Sequence, residues 1–251
     1  MNPFHALIFI FLLSVKPEPP KESFFKSQLK YLRVREAWKT NEKTLTAQLE
    51  SKQIPIAEME CLLLGYKEEE QLELYVRKKG TATYSLFKSY PICYASGELG
   101  PKRKEGDRQV PEGLYQISSF NPVSNYHLSL QVNYPNASDR KLSDPKNPGG
   151  QIFIHGSCVS IGCLAMRDFR IEEIYLMAVH AKSNGQQVIP VYLFPFQMNR
   201  ENMEEQLANL PETDSRKSFW KQLEPAWKYW QRERKTIPYS IDSKGKYKIG
   251  D

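Results

Sequence analysis

Apolar positions along the chain change period several times, and each change predicts a different element. Between Ser23 and about Glu50, Phe25, Leu29, Leu32, Trp38, Leu45 and Leu49 recur mostly at spacings of three, four and seven. That stripe predicts an amphipathic helix or helix pair opened by Ser23 as N-cap, with Arg33 and Arg35 on its solvated face. From Pro55 to Glu70 no period is resolved. Leu72, Leu74 and Val76 then alternate with Glu73, Tyr75 and Arg77, which predicts a half-buried strand stopping at Gly80. The runs "TYSLFKSYPICYASG", "GLYQISSFNP", "HLSLQVNYP" and "QIFIHG" are β-branched or aromatic and separated by Gly, Pro, Asn and Asp. Their spacing suits an antiparallel sheet rather than strand-helix-strand units.

One helix interrupts the strands: "RDFRIEEIYLMAVHAKSNG" places Phe169, Ile171, Ile174, Leu176 and Met177 near one face and closes at Asn184-Gly185. "QQVIPVYLFPF" is a further strand, with Pro195 marking its end or a sheet edge. Beyond Asn199, "MEEQLANL" and "RKSFWKQLEPAWKYWQRERK" are helical, and Trp220, Leu223, Trp227 and Trp230 form a stripe suited to docking on the domain. The tail "SIDSKGKYKIGD" reads as loosely ordered. The pattern therefore predicts a mainly β fold, antiparallel with one inserted helix, carrying helical extensions at both ends. Its expected divisions are a leader over 1–20, a helical arm and first strand over 21–79, a central domain over 80–198 and a helical extension over 199–251.

Composition narrows this picture. With 251 residues, 40% of them hydrophobic, the chain can bury a substantial core. The net charge of +6 is spread among Asp and Glu, and the densest basic cluster, "PKRKEGDR", has no interleaved aromatics for stacking on bases. No nucleic-acid partner is expected. Ala6 to Val15 is an apolar run bounded by Lys16 and the prolines 17, 19 and 20. It is too short for a bilayer span of about 20 residues but suits the h-region of an export signal, although Leu12-x-Ser14 stands where A-x-A is usual.

The chemistry concentrates in "IHGSCVSIGC", residues 154–163. His155, Cys158 and Cys163 admit three readings. One is a zinc site of H-x2-C-x4-C form, though zinc prefers tighter ligand pairs and a fourth ligand. Another is a Cys158–Cys163 disulfide. The third is a cysteine nucleophile with a histidine base, in which imidazole favours the reactive thiolate. Cys163 follows Gly162 and precedes the helical run, so a helix N-terminus is expected to support its thiolate. His155 ends an apolar strand that holds it rigid. Cys61 and Cys93 lie among apolar residues and read as buried structural thiols. His180 reads as packed or surface, and His127 as strand surface.

Taken together, "GDRQVPEGLYQI", "NYPNASDR" and "IFIHGSCVSIGCLAM" resemble the YkuD-type L,D-transpeptidase catalytic domain, in its YafK-like branch, over roughly residues 80–196. The resemblance implies an exported enzyme of the cell envelope that carries out metal- and cofactor-free acyl transfer on peptidoglycan stem peptides through a thioester. It implies Cys163 as nucleophile and His155 as proton acceptor and donor. It further implies that Gly162 permits the turn and that the Gly162 and Cys163 amides form an oxyanion hole, with Ser160 in support. Pro111 and Gly113 match the T-P-x-G element. The common motif S-H-G-C-x-R reads S-I-G-C-L-A here, so Ile161 and Ala165 replace a histidine and an arginine, and the loop from His155 to Cys163 is short. Arg140 and Arg167 are then the candidates for a substrate-facing cation. Two alternatives stand beside transfer: a hydrolytic amidase that releases an envelope protein or peptide from peptidoglycan, and a noncatalytic envelope-binding module.

Overall fold

A computed structural model of the chain describes residues 22–250. The expected leader lies outside the described residues. The N-terminal stripe divides into α1 (Phe24–Gln28) and α2 (Leu32–Ser51), and Ser23 caps α1 by accepting the Lys26 amide at 3.3 Å. The segment without a resolved period is a 3-10 turn (Ile56–Glu58) followed by β1 (Met59–Tyr66). Next come β2 (Gln71–Lys78), β3 (Ser85–Pro91), β4 (Tyr94–Ala95), β5 (Gly113–Asn121) and β6 (Ser129–Val132). The short α3 (Asp139–Leu142) precedes β7 (Phe153–His155) and β8 (Leu164–Ala165). The chain continues through α4 (Asp168–Ser183), β9 (Pro190–Phe194), α5 (Arg200–Ala208), α6 (Ser215–Glu233), β10 (Tyr239–Ile241) and β11 (Tyr247–Ile249).

Nine strands form one curled sheet in the order β3-β2-β1-β9-β5-β6-β7-β8-β4. Most neighbours are antiparallel, as the spacing predicts, but β1 runs parallel to β9 and β7 parallel to β8. The central strands are sandwiched between helices, which follows from side chains alternating across a strand. Cys61 and Leu63 of β1, Leu72 and Leu74 of β2 and Val191 and Leu193 of β9 face one core with α2 and α4. Leu62, Leu64, Tyr192 and Phe194 face a second core with Phe219, Trp220, Leu223 and Trp230 of α6. The tryptophan stripe thus docks on the sheet, as its periodicity suggests. Pro195 follows the end of a central strand rather than lying on an edge.

A buried charge network fixes α6 to the Pro-x-Gly element. Glu112 is fully buried and accepts Lys67 Nζ at 2.9 Å, the Gly100 amide at 2.6 Å and Trp220 Nε1 at 2.9 Å. Lys67 also donates to the carbonyls of Glu98, Gly100 and Val110. Such a pair is tolerated in the interior because both charges are fully hydrogen-bonded.

Several local expectations change. The tail is not loose: β10 and β11 form a hairpin, and Tyr247 is buried with its hydroxyl accepting from the Asn136 side chain at 2.8 Å and the Leu114 amide at 3.3 Å. Arg33 is not merely solvated, since it donates to the carbonyls of Ser124 and His127. His127 precedes β6 rather than lying on its face, and its Nε2 is 2.8 Å from Glu172 Oε1. His180 is packed, its ring 4.2 Å from that of Phe25 and 4.7 Å from that of Trp38.

Candidate active site

The site forms where the β7–loop–β8 unit crosses within the sheet. Ile154 pairs with Leu164 and His155 with Ala165, so the parallel register brings Cys163 back beside Phe153. The Phe153 amide donates to Cys163 Sγ at 3.4 Å. His155 and Cys163 open on the same cleft of about 1070 Å³. The His155 end of the intervening loop is tied down: the Gly156 amide donates to the Tyr126 carbonyl at 3.0 Å, the Ser157 amide to Asp168 Oδ1 at 2.7 Å and the Arg167 amide to the Ser157 carbonyl at 2.8 Å. Gly156 has to be glycine, because a Cβ there would stand 2.6 Å from Asp168 Oδ1 and 2.7 Å from the Tyr126 carbonyl.

The cysteine turn is organised by Ser160. Its hydroxyl accepts the Cys163 amide at 2.7 Å and the Gly162 amide at 3.2 Å, and donates to the Cys163 carbonyl at 2.7 Å. Gly162 adopts φ of +126°, a conformation that glycine reaches without a Cβ penalty. The two amides expected to form an oxyanion hole both donate to the Ser160 hydroxyl in this structure. Cys163 also does not enter a helix directly, since β8 intervenes and α4 begins only at Asp168. The first residue of α4, Asp168, instead accepts the Ser157 amide on its carboxylate.

The cysteine pairing differs as well. Cys93, expected as a structural thiol, is bonded to Cys158 with a Cα–Cα separation of 5.4 Å, while Cys61 and Cys163 are free. This replaces the Cys158–Cys163 alternative and removes Cys158 from any zinc ligand set. Among the described residues, no group of three His, Cys, Asp or Glu side chains is placed to hold a metal. The Cys93 amide donates to the Ala165 carbonyl at 2.7 Å, so disulfide and strand pairing hold the same corner of the sheet.

Protonation of the two candidate groups follows from their surroundings. His155 is 2% exposed, and its Nδ1 lies 2.6 Å from the Gly156 carbonyl. A carbonyl only accepts, so Nδ1 carries the proton and Nε2 keeps its lone pair. Burial pushes the imidazole below its ordinary value, against the hydrogen bond to Gly156. Burial likewise pushes the Cys163 thiol up, with the Phe153 amide and the Lys102 charge pulling the other way. Both shifts favour the neutral forms, so the resting pair is a thiol and a neutral imidazole rather than a preformed ion pair.

Tyr126 is a residue the sequence pattern does not single out. Its ring packs on His155 with centroids 4.7 Å apart, and it lines the cleft. Only its position beside His127 in "NYHLSL" hints at a site. Arg140 on α3 and Arg167 before α4 are both exposed and neither lines the cleft, whereas Lys102, Arg108 and Lys146 do. Ile161, 81% exposed, stands at the cleft where the common motif has histidine.

A curled sheet flanked by helices, with a Ser-x-Gly-Cys turn returning beside a strand-borne histidine, defines the L,D-transpeptidase catalytic domain, and residues 66–191 match that family, YkuD. The chain belongs to it. Over 186 residues it is 38% identical to "Putative L,D-transpeptidase YafK" of Escherichia coli (strain K12), covering 73% of this chain and 71% of that protein. Two solved structures are similar at lower identity. The helical cell shape determining protein Pgp2 from Campylobacter jejuni matches with a TM-score of 0.45 and 19% identity, over 76% of this chain and 91% of that one. L,D-transpeptidase 1 of Mycobacterium tuberculosis matches with a TM-score of 0.30 and 15% identity, over 54% and 62%.

Proposed function

We propose that the protein is an exported cysteine acyltransferase of the cell envelope that acts on peptidoglycan stem peptides. The observation that carries this reading is the return of Cys163 beside the strand bearing His155, with both opening on one cleft. Nε2 of His155 takes the thiol proton as Cys163 Sγ attacks a peptide carbonyl and the C–S bond forms. Collapse of the tetrahedral centre breaks the C–N bond, and His155 returns the proton to the leaving amine. The thioester left on Cys163 is resolved by an acceptor amine in transfer or by water in hydrolysis. Release of a peptidoglycan-attached protein or peptide follows from hydrolysis by the same residues. The Cys93–Cys158 disulfide supports export, because such bonds persist in oxidising compartments.

The test is intact-mass analysis of the purified chain incubated with defined muropeptides. An acyl adduct on Cys163 that Cys163→Ala abolishes is the expected result, and the released products separate transfer from hydrolysis. Muropeptide processing unaffected by Cys163→Ala refutes the nucleophile. An absence of both processing and adduct, together with retained muropeptide binding, favours the binding module.

A further inference from the structure

One wall of the cleft is made from two loops that are held together by hydrogen bonds, residues 102–108 and 144–150. Asp107 organises the first: Oδ1 accepts Lys102 Nζ at 2.6 Å and the Gln109 amide at 3.1 Å, and Oδ2 accepts the amides of Arg103 at 2.8 Å and Lys104 at 2.9 Å. The second loop is tied to it by the Glu105 amide on the Asn147 carbonyl at 2.8 Å and the Asp144 amide on the Arg103 carbonyl at 2.7 Å. These bonds bracket Arg108, whose φ is +57°, a left-handed conformation uncommon outside glycine. The Arg108 carbonyl is fixed by the Ser96 hydroxyl at 2.8 Å. A strained backbone persists only where its surroundings over-determine it, and here they hold one side chain at the cleft.

Charge in the cleft does not balance. Its described lining residues include Lys102, Arg108 and Lys146 but a single carboxylate, Glu105. Lys102 is buried and neutralised by Asp107. Arg108 and Lys146 are exposed to the cleft, and no carboxylate among the described residues pairs with either. The nucleophile turn is close by: the Gln109 carbonyl, one residue from Arg108, stands 3.2 Å from where a Cβ on Gly162 would lie.

We propose that Arg108, assisted by Lys146, forms a carboxylate-receiving subsite beside Cys163, so that the protein selects stem peptides with a free carboxylate over their amidated counterparts. A guanidinium presents two parallel donors that match a carboxylate, and Lys146 adds a point charge on the same wall. An amide lacks the charge and one of the two acceptors. The assignment rests on the reading of this cleft as the substrate site.

Binding is measured by calorimetry on the full chain carrying Cys163→Ala, which separates recognition from acyl transfer. The probes are a disaccharide tetrapeptide with free carboxylates and the same molecule with carboxamides. The acid is expected to bind about ten-fold more tightly, with the preference shrinking as salt rises. Arg108→Gln abolishes the preference by weakening the acid alone, Arg108→Lys restores part of it, and Lys146→Gln causes a smaller loss. An acid-to-amide ratio unchanged by Arg108→Gln, in a variant that melts with its parent, overturns the subsite, as does failure of both probes to bind. Absence of acylation in the chain with Cys163 intact counts against the acyl-transfer reading instead, while the binding ratio still decides the role of Arg108.

Discussion

Ser160 and Cys163 hold each other: the serine hydroxyl accepts the cysteine amide and returns its own proton to the cysteine carbonyl, both at 2.7 Å. With the Gly162 amide as a second donor, the hydroxyl uses its full bonding capacity on one turn. Ser160→Ala leaves two amides and a carbonyl without that partner, each worth about 1 kcal/mol. The expected outcome is at least a ten-fold slower appearance of the Cys163 acyl adduct by mass spectrometry, with a melting temperature lowered by roughly 6–12 °C. An adduct that forms at the parent's rate contradicts this role.

Burial raises Cys163 and lowers His155, so the thiolate is scarce at neutral pH. Alkylation of Cys163 by iodoacetamide is expected to keep accelerating as pH rises beyond about 8.5, the ordinary thiol value. A reactivity plateau below pH 7 would reveal a preformed ion pair. Cys61 is fully buried, with its thiol held far above the ordinary value, so labelling of the native chain gives one adduct.

The Cys93–Cys158 bond spans 65 residues of sequence and anchors the loop between His155 and Cys163. Removing the cross-link, by reduction or by Cys93→Ser with Cys158→Ser, is expected to cost about 4 kcal/mol from the chain-entropy relation. Chemical denaturation monitored with and without reductant checks this. A denaturation midpoint indifferent to the bond contradicts the structural role.

His180 sits between the Phe25 and Trp38 rings with Nε2 unpartnered among the described residues, and burial pushes it down to about 4. The unfolded chain binds a proton there near pH 6.5, so stability is lost as pH falls from about 6.5 to about 4, by roughly 3 kcal/mol, and then levels off. Asp139, raised to about 6 by burial, acts in the opposite direction over part of this window. The measurement is therefore the difference between wild type and His180→Leu: the wild type's relative stability should fall across the window. A difference independent of pH would rule the histidine out as the cause.

Lys67→Met removes the cation from Glu112 and from three carbonyls while leaving the buried carboxylate in place. A loss of about 3 kcal/mol is expected, and Glu112→Gln added to Lys67→Met should recover part of it, because the uncompensated charge is then gone. Urea unfolding of the two variants provides the comparison.

How much of this was legible in sequence depended on how local each feature is. Alternation in β2 and the stripe in α6 were readable because each reports one face against one core. The run "CLLLGY" of β1 resisted assignment because a central strand covered on both faces has no period to show. His155 and Cys163 could be singled out because both lie within one short stretch beside a strand. Pairing of Cys93 with Cys158, 65 residues apart, has no local signature. Tyr126 and Arg108 enter the cleft through loops whose course depends on distant hydrogen bonds, so composition alone did not distinguish them from surface residues. The polar tail concealed its hairpin because Tyr247 finds its partners at Leu114 and Asn136, more than a hundred positions earlier.

The parallel pairing of β1 with β9 joins residues 63–66 to residues 191–194 at the middle of the sheet. Until the chain has emerged through Phe194, β1 and β5 lack the strand that separates them, and the halves of the sheet cannot be joined. Contacts so distant in sequence slow folding, because loop closure must precede any gain from pairing. A nascent chain truncated before β9 thus contains Cys163 but lacks the central strand that joins its half of the sheet to the other.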